Sequence, residues 1–411
     1  MIDYYETKAH PITRKMVMDA YVKIKDNGRG TGVDGVSLSE YAMNLESNLY
    51  KLWNRLTSGS YFPQMTREKL IPKKGGGKRS LGIATVEDRI AQQVVRAYIE
   101  PKMEGSFHDD SYGYRPGRHA HDAITKATSR CFTHNWLLDI DIKGYFDSID
   151  HGLLLNAVRK YTEERWVLLY IKRWLKAGTL KEDGSMEERH EGTAQGSVLS
   201  PLLSNVFLHF VFDKWMELHY PRVRFERYSD DIVVHCKSEK QALFLKGKIV
   251  ERFMSCRLTI NEEKTRVVFC KNPNNKGERK HHHESFAFLG FTYKPRLMKT
   301  QNGMLLLCMP VMSSKSKRSV LSQLKSMRLH KQQLSLREVA RTVNEKVRGW
   351  FGYYCKIEKW STRLVWWHPN RKLLKWVMWK RGFGFQRALG WPQLTYKAQP
   401  GLFKHWELVK P

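Results

Sequence analysis

Two short apolar runs, each carrying paired carboxylates, constrain this chain more than anything else in it. In Trp136-Leu-Leu-Asp-Ile-Asp-Ile142 the acids stand at alternate positions, so a strand would set Asp139 and Asp141 on one face. The segment Phe225-Glu-Arg-Tyr-Ser-Asp-Asp-Ile-Val-Val-His-Cys236 is two β-rich runs around a polar Ser-Asp-Asp. It predicts a hairpin with Asp230 and Asp231 at the turn. Carboxylates that converge at strand ends cannot all stay charged without cations. Mg²⁺ takes hard oxygen ligands and leaves positions for phosphates. Two such ions about 4 Å apart activate an attacking oxygen and stabilise a departing pyrophosphate. Taken alone, an Asp-Asp pair is most often a solvated turn, and Asp-Ile-Asp also suits a metal-binding DxD. The flanking sequence has to decide.

A second hairpin precedes the acids. Residues 69–84, KLIPKKGGGKRSLGIA, are two short apolar stretches around a basic glycine turn. The chain carries 71 Lys and Arg against 41 Asp and Glu, a net charge of +30, which self-repels unless a polyanion offsets it. Nucleic acid is the first expected partner and an anionic membrane surface the second. The charge is uneven. Residues 311–411 hold 22 Lys or Arg, four Glu and no Asp, with eight of the 13 Trp. That quarter predicts a helical, nucleic-acid-gripping module. The six cysteines form no CxxC pair and predict reduced core residues of a cytoplasmic protein, with the nucleoid as an alternative place within that compartment. No apolar run reaches the length of a transmembrane helix, so none is expected, and with nucleic acid as the first candidate for the polyanion no membrane is placed among the partners. His281-His282-His283 fits no common zinc spacing and reads as a basic loop.

Helical periodicity is expected through Tyr41–Leu56, Val86–Met103, His151–Leu175, Leu202–Phe212 and Gln241–Arg257, with a hairpin over PRLMKTQNGMLLL and a loop at SSKSK near 313–317. Strands and helices interleave without a regular βαβ period. The expected class is α+β rather than a doubly wound sheet.

With these segments in view, the chain resembles the group II intron reverse transcriptase/maturases. Tyr228-Ser229-Asp230-Asp231 resembles the YxDD box, and Asp141-Ile-Lys-Gly-Tyr-Phe-Asp147 the first catalytic box. IPKKGGGKRSLGI (71–83), SYGYRPGR (111–118), GTAQGSVLSPLLSN (192–205), INEEKT (260–265), FLGF (288–291) and VRGWFGYY (347–354) follow the family's order. Ser229 departs from the commoner Ala, and the paired Cys motifs of an HNH endonuclease are absent, so no endonuclease is expected.

The resemblance implies a right-hand polymerase: an N-terminal extension over 1–60, fingers and an antiparallel-sheet palm over 61–310, an α-helical thumb/maturase domain over 311–368, and a basic segment, a candidate for DNA binding, over 369–411. It implies two Mg²⁺ ions held by Asp141 and Asp230, with the Ile142 carbonyl and Asp231 as further oxygens; Asp139 and Asp147 are read as structural. Lys73 and Arg79 are expected on the triphosphate, where Arg can act bidentately. Phe146 is expected as the steric gate selecting dNTPs, with Tyr145 the competitor. Gln195 and Gly196 line the nucleotide pocket, and Lys264 lies near the triphosphate. Arg115 either contacts template or orders the fingers. Arg348, Trp350, Tyr353, Lys372, Lys375, Lys380 and Arg381 are nucleic-acid candidates, with Trp376 and Trp379 beside them. The implied partners are group II intron RNA, target DNA, and an RNA template with its primer. The alternatives are a splicing-only RNA-binding cofactor and a domesticated reverse transcriptase of host repair or defence.

Overall fold

A computed structural model describes residues 9–28, 30–72, 77–271, 283–300 and 303–411. Lys73, His281 and His282 fall outside them, so the expectations placed on those residues do too. The chain is mixed α and β and divides into two compact units. The first comprises 1–119 and 138–266, the second 120–137 and 267–411. No helix among the described residues is long and apolar enough to cross a membrane.

In the first unit the expected helix over Val86–Glu104 forms behind a Thr85 cap, whose hydroxyl accepts from the Asp88 amide. Helices Arg14–Asn27 and Leu45–Thr57 pack against it. The basic hairpin pairs Thr66–Pro72 with Lys78–Ile83, setting Ile71 opposite Arg79. The carboxylate hairpin pairs Arg224–Tyr228 with Asp231–Cys236 antiparallel, in a register that puts Tyr228 opposite Asp231. Strand Trp136–Ile140, which enters this unit at Leu138, lies beside Asp231–Cys236 in the same sheet. Trp166, Tyr170, Phe207, Phe212 and Phe253 are among the largest buried side chains.

Two expected helices are broken. His151–Leu175 is two helices, His151–Arg159 and Arg165–Lys176, because the polar Tyr-Thr-Glu-Glu at 161–164 interrupts the apolar period. Beyond Ser200–Leu208, the stretch His209–Asp213 is a π-helical turn, a rare form found mostly at functional places.

The second unit holds the antiparallel strands Phe286–Phe288, Phe291–Thr300 and Gly303–Met312, followed by helices Ser314–Ser326, Leu336–Ile357, Arg363–Arg381 and Phe385–Ala398. The segment expected as a loop at SSKSK instead starts a helix, since the Ser313 hydroxyl accepts from the Ser316 amide and supplies the cap. FLGF makes a tight turn with Leu289 and Gly290 at positive φ. The Leu289 carbonyl accepts from the Tyr353 hydroxyl at 2.8 Å, and the Gly290 carbonyl from Ser316 Oγ at 2.9 Å. The turn therefore ties the strands to two helices of its own unit.

All six cysteines are buried, and none is in a disulfide. The Sγ atoms of Cys131, Cys270 and Cys308 lie within 4.8 Å of one another. Hydrogen bonds with Cys270 and Cys308, then burial, hold the Cys131 thiol well above its ordinary value. The three pack together in the core, the place expected for them.

Candidate active site

The carboxylates converge in the first unit. Asp141 follows strand Trp136–Ile140, and its backbone is clamped: its amide donates to Thr265 Oγ1 at 3.2 Å and its carbonyl accepts from the Asn261 amide at 2.7 Å. Buried Ile142 bridges to Ile260. Lys264 Nζ donates to Asp141 Oδ2 at 3.1 Å, so the INEEKT segment sets a cation on the first carboxylate. Burial, then the like charges of Asp230 and Asp141, push the Asp231 carboxyl up to about 7, with Arg79 opposing. Asp231 lies at the open rim, where water weakens the burial effect and leaves the like charges as the durable cause. Asp139, read as structural, belongs to the same cluster: burial, then Asp231 and Asp141, push it up to about 7, against Arg266.

These acids fit a divalent ion by donor chemistry: several hard oxygens gathered with excess negative charge. They form no group as tight as the three thiols, and two ions about 4 Å apart suit such a wider set.

The turn that carries Asp230 is held from behind by a network absent from the sequence reading. Arg227, fully buried, donates from Nε to Asp213 Oδ1 at 2.7 Å and from Nη2 to Oδ2 at 2.6 Å. Its Nη1 reaches Asn205 Oδ1 at 3.0 Å and the Ser229 carbonyl at 3.3 Å. Burial opposes ionisation of Asp213, but the Arg227 guanidinium outweighs it and holds the carboxyl below its ordinary range. Removing one partner of such a pair strands a buried charge, at a cost of about 3–5 kcal/mol. The only hint was polar Asn205, His209 and Asp213 in an otherwise apolar segment, since buried polar groups demand partners.

The residues expected around the nucleotide are arranged by a second relay. Asp88 is buried and accepts from Tyr61 Oη, Trp174 Nε1 and Gln92 Nε2 at 2.7–2.8 Å. Gln92 Oε1 then accepts from Ser197 Oγ and the Val198 amide, fixing the turn after Gln195-Gly196. The Gln195 carbonyl accepts from the Gly82 amide at 2.7 Å. Gly196 sits at φ +102, where a Cβ would lie 2.8 Å from Leu81 Cδ1; only glycine lets this turn approach the basic hairpin. Phe146 is half-buried on a short 3₁₀ turn, its carbonyl accepting from the Thr193 amide. Tyr145 is buried and its hydroxyl donates to the Ser204 carbonyl, whereas Phe146 keeps partial exposure.

Some strand-contact expectations are corrected. Arg115 is buried and donates inward, to Glu104 Oε1 and to the His108 and Ser111 carbonyls, so it orders its turn rather than touching a strand. In the second unit Tyr353 is tied to Leu289 and His121, and Trp376 is buried against Trp391. Arg348, Lys375, Lys380 and Arg381 are exposed; Trp350 and Lys372 are half-buried. Burial and the neighbouring Lys375 and Lys325 lower the Lys372 ammonium from its ordinary value.

A carboxylate cluster with Lys264 on Asp141, Arg79 acting on Asp231 and a glycine-permitted turn at 196 has the donor set of a metal-assisted nucleotidyltransferase. The comparisons narrow the class. The model for reverse transcriptase (RNA-dependent DNA polymerase) matches residues 71–293, and that for the group II intron maturase-specific domain matches 317–387. The Escherichia coli protein YkfC is 30% identical over 310 residues, 66% of this chain and 78% of that one. The group II intron-encoded protein LtrA of Lactococcus lactis is 35% identical over 187 residues, 45% of this chain and 31% of that protein. A putative COX1/OXI3 intron 1 protein of Saccharomyces cerevisiae is 26% identical over 62% of this chain and 36% of its own length. The chain thus spans about a third of the intron-encoded proteins it matches. It belongs to the reverse transcriptases, RNA-directed DNA polymerases, and carries a group II intron maturase-specific domain.

Proposed function

We propose that this protein copies group II intron RNA into DNA at a target site and binds that RNA as a splicing maturase. The observation that carries the polymerase half is the carboxylate cluster of Asp141, Asp230 and Asp231, with Lys264 on Asp141 and Arg79 close enough to act on Asp231. Asp141 and Asp230 would hold Mg²⁺, with the Ile142 carbonyl and Asp231 as added oxygens, and the ions would supply positive charge at the attacking 3′-oxygen and the departing pyrophosphate. Arg79 and Lys264 are fixed cations for the triphosphate, and Lys264 carries a proton available to pyrophosphate. Lys73 is assigned beside them on sequence grounds alone. Gln195 and Gly196 line the sugar and base, and Phe146 rejects a 2′-hydroxyl. The maturase half rests on the basic surface of the second unit, where Arg348, Trp350, Lys372, Lys375, Lys380 and Arg381 would meet intron RNA or target DNA. The division into extension, fingers and palm, thumb and basic tail at residues 60, 310 and 368 belongs to the same reading.

Primer extension on an RNA template with Mg²⁺ and dNTPs tests the assignment. Wild type should yield cDNA, and Asp230→Asn none, with an unchanged melting temperature; incorporation by the variant would overturn the site. In the same assay Phe146→Ala should accept ribonucleotides that wild type rejects, and unchanged selectivity would remove the gate.

A further inference from the structure

Tyr114 is the one residue of the SYGYRPGR segment whose side chain is turned out beside the carboxylates. Both of its neighbours are pinned. The Gly113 carbonyl accepts from Asn205 Nδ2 at 2.6 Å, and Arg115 is anchored inward on Glu104, His108 and Ser111. Two residues back, the Tyr112 amide donates to the Arg227 carbonyl, so the segment lies along the strand that leads into the catalytic turn. Gly113 is seated so closely on that turn that a Cβ would lie 2.5 Å from the Ser229 amide nitrogen. Held this way, Tyr114 adopts φ +58, a left-handed conformation that bulky residues rarely populate. Its ring is 50% exposed and its centroid lies 6.5 Å from that of Tyr228.

The same ring lines a groove of about 590 Å³ whose wall also includes Lys23, Arg89, Arg96, Val198 and Pro201. Lys23 is exposed there, while Arg96 is partly offset by Glu100. A basic groove ending on a half-exposed aromatic has the composition of a single-strand site, with cations for phosphates and a ring face for one base. Tyr114 links the groove to the catalytic turn, since its neighbour Gly113 is seated on Ser229 and its own ring lies beside Tyr228.

We propose that Tyr114 is a positioning residue on which the unpaired template base stacks as it reaches the carboxylates, an inference that rests on the reading of this cleft as one that copies RNA. The ring would hold the base flat for pairing with the incoming dNTP. It would thereby act on nucleotide affinity and selection rather than on the chemical step.

Single-nucleotide incorporation on an RNA template and DNA primer separates the roles. Tyr114→Phe keeps the ring face and should behave as wild type. Tyr114→Ala should raise the KM for the correct dNTP about tenfold or more, since one base–aromatic stack is worth that much. Its kcat should stay within about twofold, and misincorporation should rise. Tyr114→Leu, which fills the space without an aromatic face, should follow Ala, and both should melt with wild type. Unchanged KM and fidelity in Ala and Leu would overturn the proposal. So would a fall in kcat at constant KM, the mark of a disturbed catalytic turn. An inert wild type would instead overturn the polymerase reading itself.

Discussion

Ser229 shows what a single residue does at this site. It occupies φ +59 at the tip of the carboxylate hairpin, and its Oγ is buried without a hydrogen-bond partner among the described residues. Its carbonyl, not its hydroxyl, is what Arg227 holds. The side chain thus contributes a desolvation penalty and no bond. Ser229→Ala keeps the same backbone strain and removes the orphan hydroxyl. It should leave primer extension intact and stabilise the first unit by about 1 kcal/mol, read by denaturant unfolding; loss of stability would mean that the hydroxyl has a partner. Asp141, Asp230 and Asp231 were legible in the sequence because alternation and turn position are local properties. Arg227, Asp213 and Asn205 were not, because their roles depend on meeting across 22 positions of chain.

Among the elements, the C-terminal 3₁₀ turn Lys404–Glu407 is anchored on helix Arg363–Arg381 by one acceptor. Asn370 Oδ1 accepts from His405 Nε2 at 2.7 Å and from Trp406 Nε1 at 2.8 Å. His405 must be neutral there, and burial lowers its pKa to about 3. The unfolded chain binds the proton near pH 6.5, whereas the folded chain does not until about pH 3. The resulting stability is therefore complete above pH 6.5 and is lost as pH falls toward 3, at about 1.4 kcal/mol per pH unit. The raised Asp139 and Asp231 carboxyls act in the opposite sense over pH 4–7 in both proteins, so denaturant unfolding of wild type and His405→Gln should differ in slope by about 1.4 kcal/mol per pH unit; equal slopes would place the acid sensitivity elsewhere. Helix ends were only partly legible. The serine cap that starts Ser314–Ser326 was hidden in a polar run that also reads as loop, and the π-turn at His209–Asp213 breaks the helical period without a proline or glycine to announce it.

For the whole molecule, charge is the controlling property. A chain at +30 whose last quarter has four acidic side chains should bind RNA with log K falling linearly in log salt, at roughly 0.7–0.9 per phosphate neutralised. Filter binding from low to moderate salt would show it, and a flat response would assign affinity to stacking instead. Trp360, Trp367 and Trp379 are 71%, 46% and 43% exposed, whereas Trp366, Trp376, Trp391 and Trp406 are buried. Composition alone could not divide them, because a tryptophan at helical spacing serves a core or a strand equally well. The sequence by itself determined the carboxylate hairpin, the basic hairpin, the glycine at 196 and the sign of the partner's charge. Each of these depends on neighbours in the chain or on a sum over it. Only the tertiary structure decided that Arg115 turns inward and Tyr114 outward, and that Gln92 and Arg227 brace the site. A side chain's direction is set by which distant groups can satisfy it once burial has removed water.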